Sequence, residues 1–162
     1  MIVADSSVLI GLSTIGQLSL LRERFPDGIL IPPAVWREVV EQGGERPGAQ
    51  EAAQADWTSV EDITALEIVR LLRSELEAGE AEAIALAYQL GAEIILLGER
   101  DARRAAKQLN LQPLGTIGIL IWAKRSSRIP SLRDALDALQ TEGHFRIGQH
   151  LYLRALGEAD EL

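Results

Sequence analysis

Four acidic residues hold comparable places in the chain: Asp5, Glu38, Glu80 and Glu99. Asp5 ends the short apolar run Ile2-Val3-Ala4. Glu38 lies about two turns past a second run, Ile29-Leu30-Ile31, at the margin of a helical stripe. Glu99 follows Ile94-Ile95-Leu96-Leu97, and Glu80 opens a helix just ahead of that run. Taken singly, each has an ordinary role. Asp5 suits a helix cap, Glu80 and Glu82 suit the positive end of a helix dipole, and Glu99 and Asp101 suit a helix start. As a set they point to chemistry. Apolar runs of this kind read as strands buried on both faces, and in an open α/β sheet ligands bind beyond the carboxyl ends of the strands. Carboxylates that converge there repel one another. A hard divalent cation such as Mg²⁺, which takes oxygen ligands and keeps several waters, relieves that repulsion. One or two such ions at a phosphodiester activate water and stabilise the leaving oxygen.

The elements that must position these acids follow from pattern. Strands are predicted at Ile2–Ala4, Ile29–Ile31, Trp57–Val60 and Ile94–Leu97, with a last edge strand at Gln112–Leu114 where proline is tolerated. An apolar stretch, Val8–Leu12, leaves the first strand after Ser6 and Ser7, two residues suited to the start of a helix. Spacing predicts one amphipathic helix over Ser13–Phe25 and another opened by Pro32-Pro33 and stopped by Gly43-Gly44. Glu45–Ala55, with Pro47, reads as a loop or a weak helix. Further helices are predicted at Thr64–Leu76, Glu80–Leu90, Ala102–Leu109, Thr116–Lys124, Ser131–Leu139 and Gln149–Leu156. Strands alternating with helices imply an α/β/α sandwich around a mostly parallel sheet. Its core should contain Val3, Ile31, Val35, Val39, Leu86, Ile95, Leu97 and Ile119, with Trp36 and Trp122 also packed inside.

Bulk properties narrow the function. The 162 residues suit one domain, able to bury roughly 70% of its unfolded surface without a disulfide or structural metal. The absence of cysteine removes disulfides, thiolate zinc sites and cysteine nucleophiles, and fits a reducing cytoplasm. No basic-then-apolar leader is visible, and no apolar run reaches the ~20 residues needed to span a bilayer. Lys plus Arg is 16 against 24 Asp plus Glu, a net charge of −8. Binding nucleic acid through overall charge is therefore excluded, and such binding would need a local site. The acidic balance also admits a small-molecule α/β protein. Aromatics at 4% argue against a base-stacking platform. His144 and His150 lack partners at ligand spacing, and Gly115-Thr116-Ile117-Gly118 is no phosphate loop.

Several stretches resemble the PIN-domain family. They are V-A-D-S-S-V-L-I at the start, P-P-A-V-W-R-E-V after the second strand and G-E-A-E-A-I-A-L-A before the fourth. The later G-T-I-G-I-L-I-W-A-K and F-R-I-G-Q-H-L-Y resemble one subgroup of uncharacterised prokaryotic members, for which the helices over about 131–157 are an extension. The resemblance implies a metal-dependent endoribonuclease like the toxin of a VapC-type toxin–antitoxin pair, with Mg²⁺ or Mn²⁺ as cofactor. It also implies a homodimer, for which the helix around Thr116–Trp122 is a candidate interface, and silencing by an antitoxin. Matched by position, Asp5, Glu38 and Glu80 take the places of the first three acids, and Ser7 that of the accompanying small polar residue. The fourth acid falls at Gly98, where Glu99 is the adjacent substitute. Arg100, Arg103 and Arg104, with Lys107, form a basic helix face suited to RNA phosphates. The departure at Gly98 motivates an alternative, a degenerate PIN domain that binds protein. It also motivates the expectation that Gly98→Asp strengthens metal binding and keeps the fold.

Overall fold

A computed structural model of the protein describes residues 1–46 and 48–162; Pro47, within the stretch read as loop or weak helix, lies outside the described residues. Five parallel strands form the sheet, in the order β3-β2-β1-β4-β5. They are β1 Ile2–Ala4, β2 Ile29–Ile31, β3 Thr58–Val60, β4 Ile94–Leu96 and β5 Pro113–Leu114. From central β1 the chain steps outward through β2 and β3, then returns to β4 on the other side and ends at β5. The strand order therefore reverses between β1 and β4, and the crevice beyond their carboxyl ends is where such sheets bind ligands.

Side chains alternate across this sheet, and each face has its own core. Ile2, Ala4, Ile29, Ile31 and Leu96 join one cluster with Val8, Leu12, Val35, Val39, Ile119 and Leu120. Val3, Ile95 and Leu97 join the other with Ala83, Ile84, Leu86, Ala102 and Ala106. In register, Val3 pairs Ile95 and Ala4 pairs Leu96, so neighbouring strands send matching residues to the same face. Helices α1 (Ser6–Thr14), α2 (Ser19–Arg24), α3 (Pro33–Trp36) and α8 (Thr116–Arg125) cover the first face. Helices α6 (Ala78–Leu90) and α7 (Arg100–Gln108) cover the second. The result is the expected three-layer sandwich. All eight expected core residues are buried, whereas Trp36 and Trp122 are only partly so.

Two helical expectations need correction. Ser13–Phe25 is not one helix: α1 begins at Ser6 and ends at Thr14, and α2 starts afresh at Ser19. Ser13 and Thr14 turn their hydroxyls back onto the carbonyls of Leu9 and Ile10, and Gly16 sits at φ +70°, a conformation that breaks a helix. The helix predicted over Thr64–Leu76 shrinks to α5 (Leu66–Leu72), none of whose residues is buried. The expected interface helix, α8, spends Ile119 and Leu120 on its own core, leaving Ile117, Ile121 and Trp122 half-buried. Part of Glu45–Ala55 forms the short helix α4 (Ala49–Gln54).

The last two helices, α9 (Leu132–Thr141) and α10 (Gln149–Glu158), add Leu132, Leu136, Leu139, Ala155 and Leu156 to the first core. Near the end of the chain, Glu161 accepts hydrogen bonds from the backbone N–H groups of Leu132 and Arg133 and lies 3.6 Å from Lys124. It thereby caps α9 and ties the end of the chain to α8. These packing differences set a contrast. Ile95→Ala, at a fully buried position, should cost about 2–5 kcal/mol. Leu71→Gln, at a position 75% exposed on α5, should stay within about 0.5 kcal/mol. Urea unfolding of the two variants checks both values.

Candidate active site

The site grows from the end of β1. Asp5 still donates its N–H to Leu96 O at 2.9 Å, so β1 and β4 remain paired through it. Its backbone then leaves the strand as the N-cap of α1 (φ −87°, ψ 164°). Asp5 Oδ1 accepts from Ser6 N at 2.7 Å, and Oδ2 accepts from the Ser7 hydroxyl at 3.1 Å. The carboxylate is thus a helix cap and a candidate ligand at once, and only 2% of the residue is exposed. Each serine adds a second connection. Ser7 Oγ accepts from Gly98 N at 3.1 Å, joining α1 to the end of β4. Ser6 Oγ donates to Glu38 Oε2 at 2.5 Å and lies 3.4 Å from Asp5 Oδ1. A hydroxyl has one proton, and the short contact places it on Glu38.

Glu38 comes from a π-helical segment, Arg37–Glu41, that continues α3. Such segments recur at functional sites because the extra residue per turn re-aims the side chains. The Glu38 carboxylate rests against Gly79: a Cβ there would stand 2.6 Å from Oε1, so a glycine is what leaves it room. Glu82, expected to serve the dipole of its own helix, instead caps α3. Pro33 has no N–H, so Ala34 supplies the first free donor of that helix, and Glu82 Oε1 accepts it at 3.1 Å. Glu82 Oε2 also lies 3.9 Å from Arg37.

Glu80 is half-buried at the start of α6, in a capping box with Glu77; its Oε1 accepts from Glu77 N at 3.1 Å. Burial pushes its pKa up, and the charges of Asp5, Glu77 and Glu99 push the same way. Burial likewise raises the pKa of Asp5, aided by the charge of Glu38 and opposed by the bonds from Ser6 and Ser7. Glu99 is exposed as the N-cap of α7. Asp5 and Glu38 therefore meet through one hydroxyl, Glu80 is near enough for its charge to be felt, and Glu99 stands at the rim. Among the described residues, no three His, Asp or Glu side chains are gathered to hold an ion directly. The all-oxygen donor pair Asp5 and Glu38 still suits a hydrated Mg²⁺-class ion, which needs only one or two carboxylates beside water and substrate oxygens.

The basic residues flank this site. Gly98, Arg100, Arg103 and Arg104 line one groove. Arg103 Nη1 lies 3.5 Å from Leu97 O, and Arg104 pairs with Asp101 at 3.3 Å. His144 and His150 are exposed. The sequence reading gave Ser6 only a helix-start role and passed over Gly79. An S-S pair after a strand-ending acid is the one local signal for Ser6.

Two predictions follow from the packing and charge of the site. Asp5 and Glu80 hold protons to higher pH folded than unfolded, so the native state binds more protons. Their contribution to stability therefore falls as pH rises from the ordinary carboxylate range through the raised values. In chelator, Asp5→Asn should melt higher than the parent at neutral pH, and the gap should close as pH drops into the ordinary range. Thermal melts across pH test the sign. At Gly98 the backbone is not left-handed, but a Cβ would stand 2.8 Å from Ser7 Oγ and 3.3 Å from Ser7 Cβ. The close approach is to a serine hydroxyl, so Gly98→Asp should keep the fold at a cost of about 1–3 kcal/mol as overpacking. Adding Ser7→Gly should restore part of that loss in the same unfolding assay.

Comparison with known proteins agrees with the geometry. No curated protein and no solved structure matches the chain. The family model described as DUF3368: PIN domain matches residues 1–161. A nuclease-like fold, with acids beyond the carboxyl ends of a parallel sheet, is what that family implies, and the chain belongs to it: it is a PIN-domain protein.

Proposed function

We propose that this protein is a Mg²⁺- or Mn²⁺-dependent endoribonuclease that hydrolyses RNA phosphodiesters, in the manner of the toxin of a VapC-type pair. One observation carries the reading: acids following two adjacent strands, Asp5 and Glu38, flank the Ser6 hydroxyl, which donates to Glu38 and lies 3.4 Å from Asp5 Oδ1, beside the switch point of the sheet. A bound divalent ion supplies charge neutralisation and acidifies a water. The chain's own residues do the rest. Ser6 N and Ser7 Oγ fix the rotamer of Asp5, and Ser6 Oγ orients Glu38. Glu80, with Oε1 bonded to Glu77 N, exchanges a proton at Oε2 with the reacting oxygens. Arg100 and Arg103 offset charge on the pentacovalent phosphate, and Glu99 completes the acidic rim. In this reading residues 1–162 work as one domain in the cytoplasm, paired with a second copy and silenced by an antitoxin. The resemblance to toxin nucleases supports those last features.

A second reading has its own observation. Gly98 stands where the resemblance implies a fourth acid, and a Cβ there would already meet Ser7 Oγ at 2.8 Å; the short acid set favours a catalytically weak domain that binds protein. RNA cleavage and Mn²⁺ calorimetry on the parent, Asp5→Asn and Ser6→Ala decide between them. Asp5→Asn should lose more than about 100-fold in both readouts, beyond the 10–100-fold expected of an outer partner such as Ser6. Unchanged cleavage in Asp5→Asn would sink the nuclease assignment to these residues. A parent that binds Mn²⁺ and cuts no RNA supports the second reading.

A further inference from the structure

A groove of about 640 Å³ opens from Gly98 and runs between α7, the start of α8 and the C-terminal helix α10. Six of the sixteen basic residues of this acidic chain line it: Arg100, Arg103, Arg104, Lys107, Arg146 and Arg154. Its one acidic lining residue is Glu158. Four of the cations repeat along one face of α7 at spacings of three and four residues, covering about 10 Å of helix at 1.5 Å per residue. The other two come from the far end of the chain. Arg146 sits in the segment between α9 and α10, and Arg154 on α10 itself, so two walls distant in sequence present the same charge. Both are exposed. Among the described residues no carboxylate pairs with Arg100, Lys107 or Arg146, and Arg154 meets Glu158 only at 3.8 Å on the surface. The far wall is held in place. Glu161 anchors the chain end to α9, and Phe145 packs its ring over Gly11 of α1 beside Thr116.

We propose that this groove is the track for the phosphate backbone of the single-stranded RNA, with Arg146 and Arg154 of the C-terminal helices as its second wall. The proposal rests on the RNA-cleaving reading and assigns the substrate's path outside the acid site. Five of the six cations are arginines, whose planar fork matches phosphate oxygens in pairs. Gly98 is part of the groove's lining, and its N–H is bonded to the serine that holds Asp5. A strand lying on the cations therefore leads its next phosphate to the acids. An acidic protein segment would match the charge but gives no reason for that continuity.

The test uses the full chain carrying Asp5→Asn, without metal, and a labelled 2′-O-methyl oligouridylate that cannot be cleaved. Affinity is followed by anisotropy from about 50 to about 200 mM salt. Adding Arg146→Gln and Arg154→Gln should weaken binding and make the slope of log affinity against log salt shallower by about 0.7 per arginine. Arg70→Gln, on exposed α5, should leave slope and affinity unchanged. An unaltered slope in the double arginine variant, or an equal change with Arg70→Gln, overturns the track. So does displacement of the oligonucleotide by polyglutamate of equal length at equal concentration, which would make the groove an acidic-protein site. Cleavage and Mn²⁺ calorimetry on the parent separate the two ideas: a parent that cuts nothing while the slope change holds removes the nuclease reading and leaves an RNA-binding groove.

Discussion

A carboxylate held out of water at the centre of a parallel sheet sets the terms for what surrounds it. Burying an unpaired charge is expensive, and a buried polar group must find partners. Asp5 finds them in the two residues that follow it, through a backbone N–H and a hydroxyl, with the positive end of α1 behind them. The strand on which it ends is fixed on both sides, by β2 and by β4. On one face of the sheet α6 packs Ala83 and Ala87, both fully buried, into one cluster with Val3 of β1. Small side chains let a helix approach closely, and that approach brings Glu80 within electrostatic reach of Asp5. What holds the fold together at this point therefore also concentrates negative charge. Desolvation and like charge oppose ionisation there, and a cation or a proton is what relieves them.

The two serines couple the site to separate parts of the chain. Ser6 reaches Glu38 on the segment after β2, and Ser7 reaches Gly98 after β4. The second link makes position 98 a tight one. The hydroxyl that steadies Asp5 and accepts the Gly98 N–H occupies the volume that a side chain at 98 would need. With Ser7 in place, the site relies on Asp5 and Glu38, with Glu80 and Glu99 at longer range.

What the sequence disclosed depended on whether a residue's partners were near it in the chain. The strands were legible because Ile2–Ala4, Ile29–Ile31 and Ile94–Leu96 lie in short apolar runs that stop at Asp5, Pro32-Pro33 and Gly98. Their parallel pairing followed from the helices between them. Asp5 was legible because it ends such a run. The break between α1 and α2 was not, since Ile15, Leu18 and Leu21 keep helical spacing across it while Ser13, Thr14 and Gly16 end the helix locally. Ser6 and Glu82 were hidden for the opposite reason. Each has a credible local role at a helix start, and its decisive partner lies 32 or 48 residues away. Arg146 and Arg154 stand alone in sequence; only the return of α10 toward α7 puts them beside Arg100 and Arg104.

The separation of charge across Gly98 joins these parts into one electrostatic arrangement. On one side lie Asp5, Glu38 and Glu80, and on the other the cations of α7 and α10. A phosphate in the groove is attracted by the arginines and repelled by the acids, so the acid side sets how far it can advance. Neutralising the acids weakens that repulsion, and a phosphate drawn into the crevice raises the affinity of the acids for a cation. Linkage makes the two effects equal in free energy: whatever a divalent ion adds to phosphate binding, the phosphate adds to ion binding. On the proposed reading, two acids linked through one hydroxyl would thus gain from substrate oxygens part of what a further carboxylate would supply. In the proposed nuclease, the basic groove and the short acid set would be complementary halves of one site.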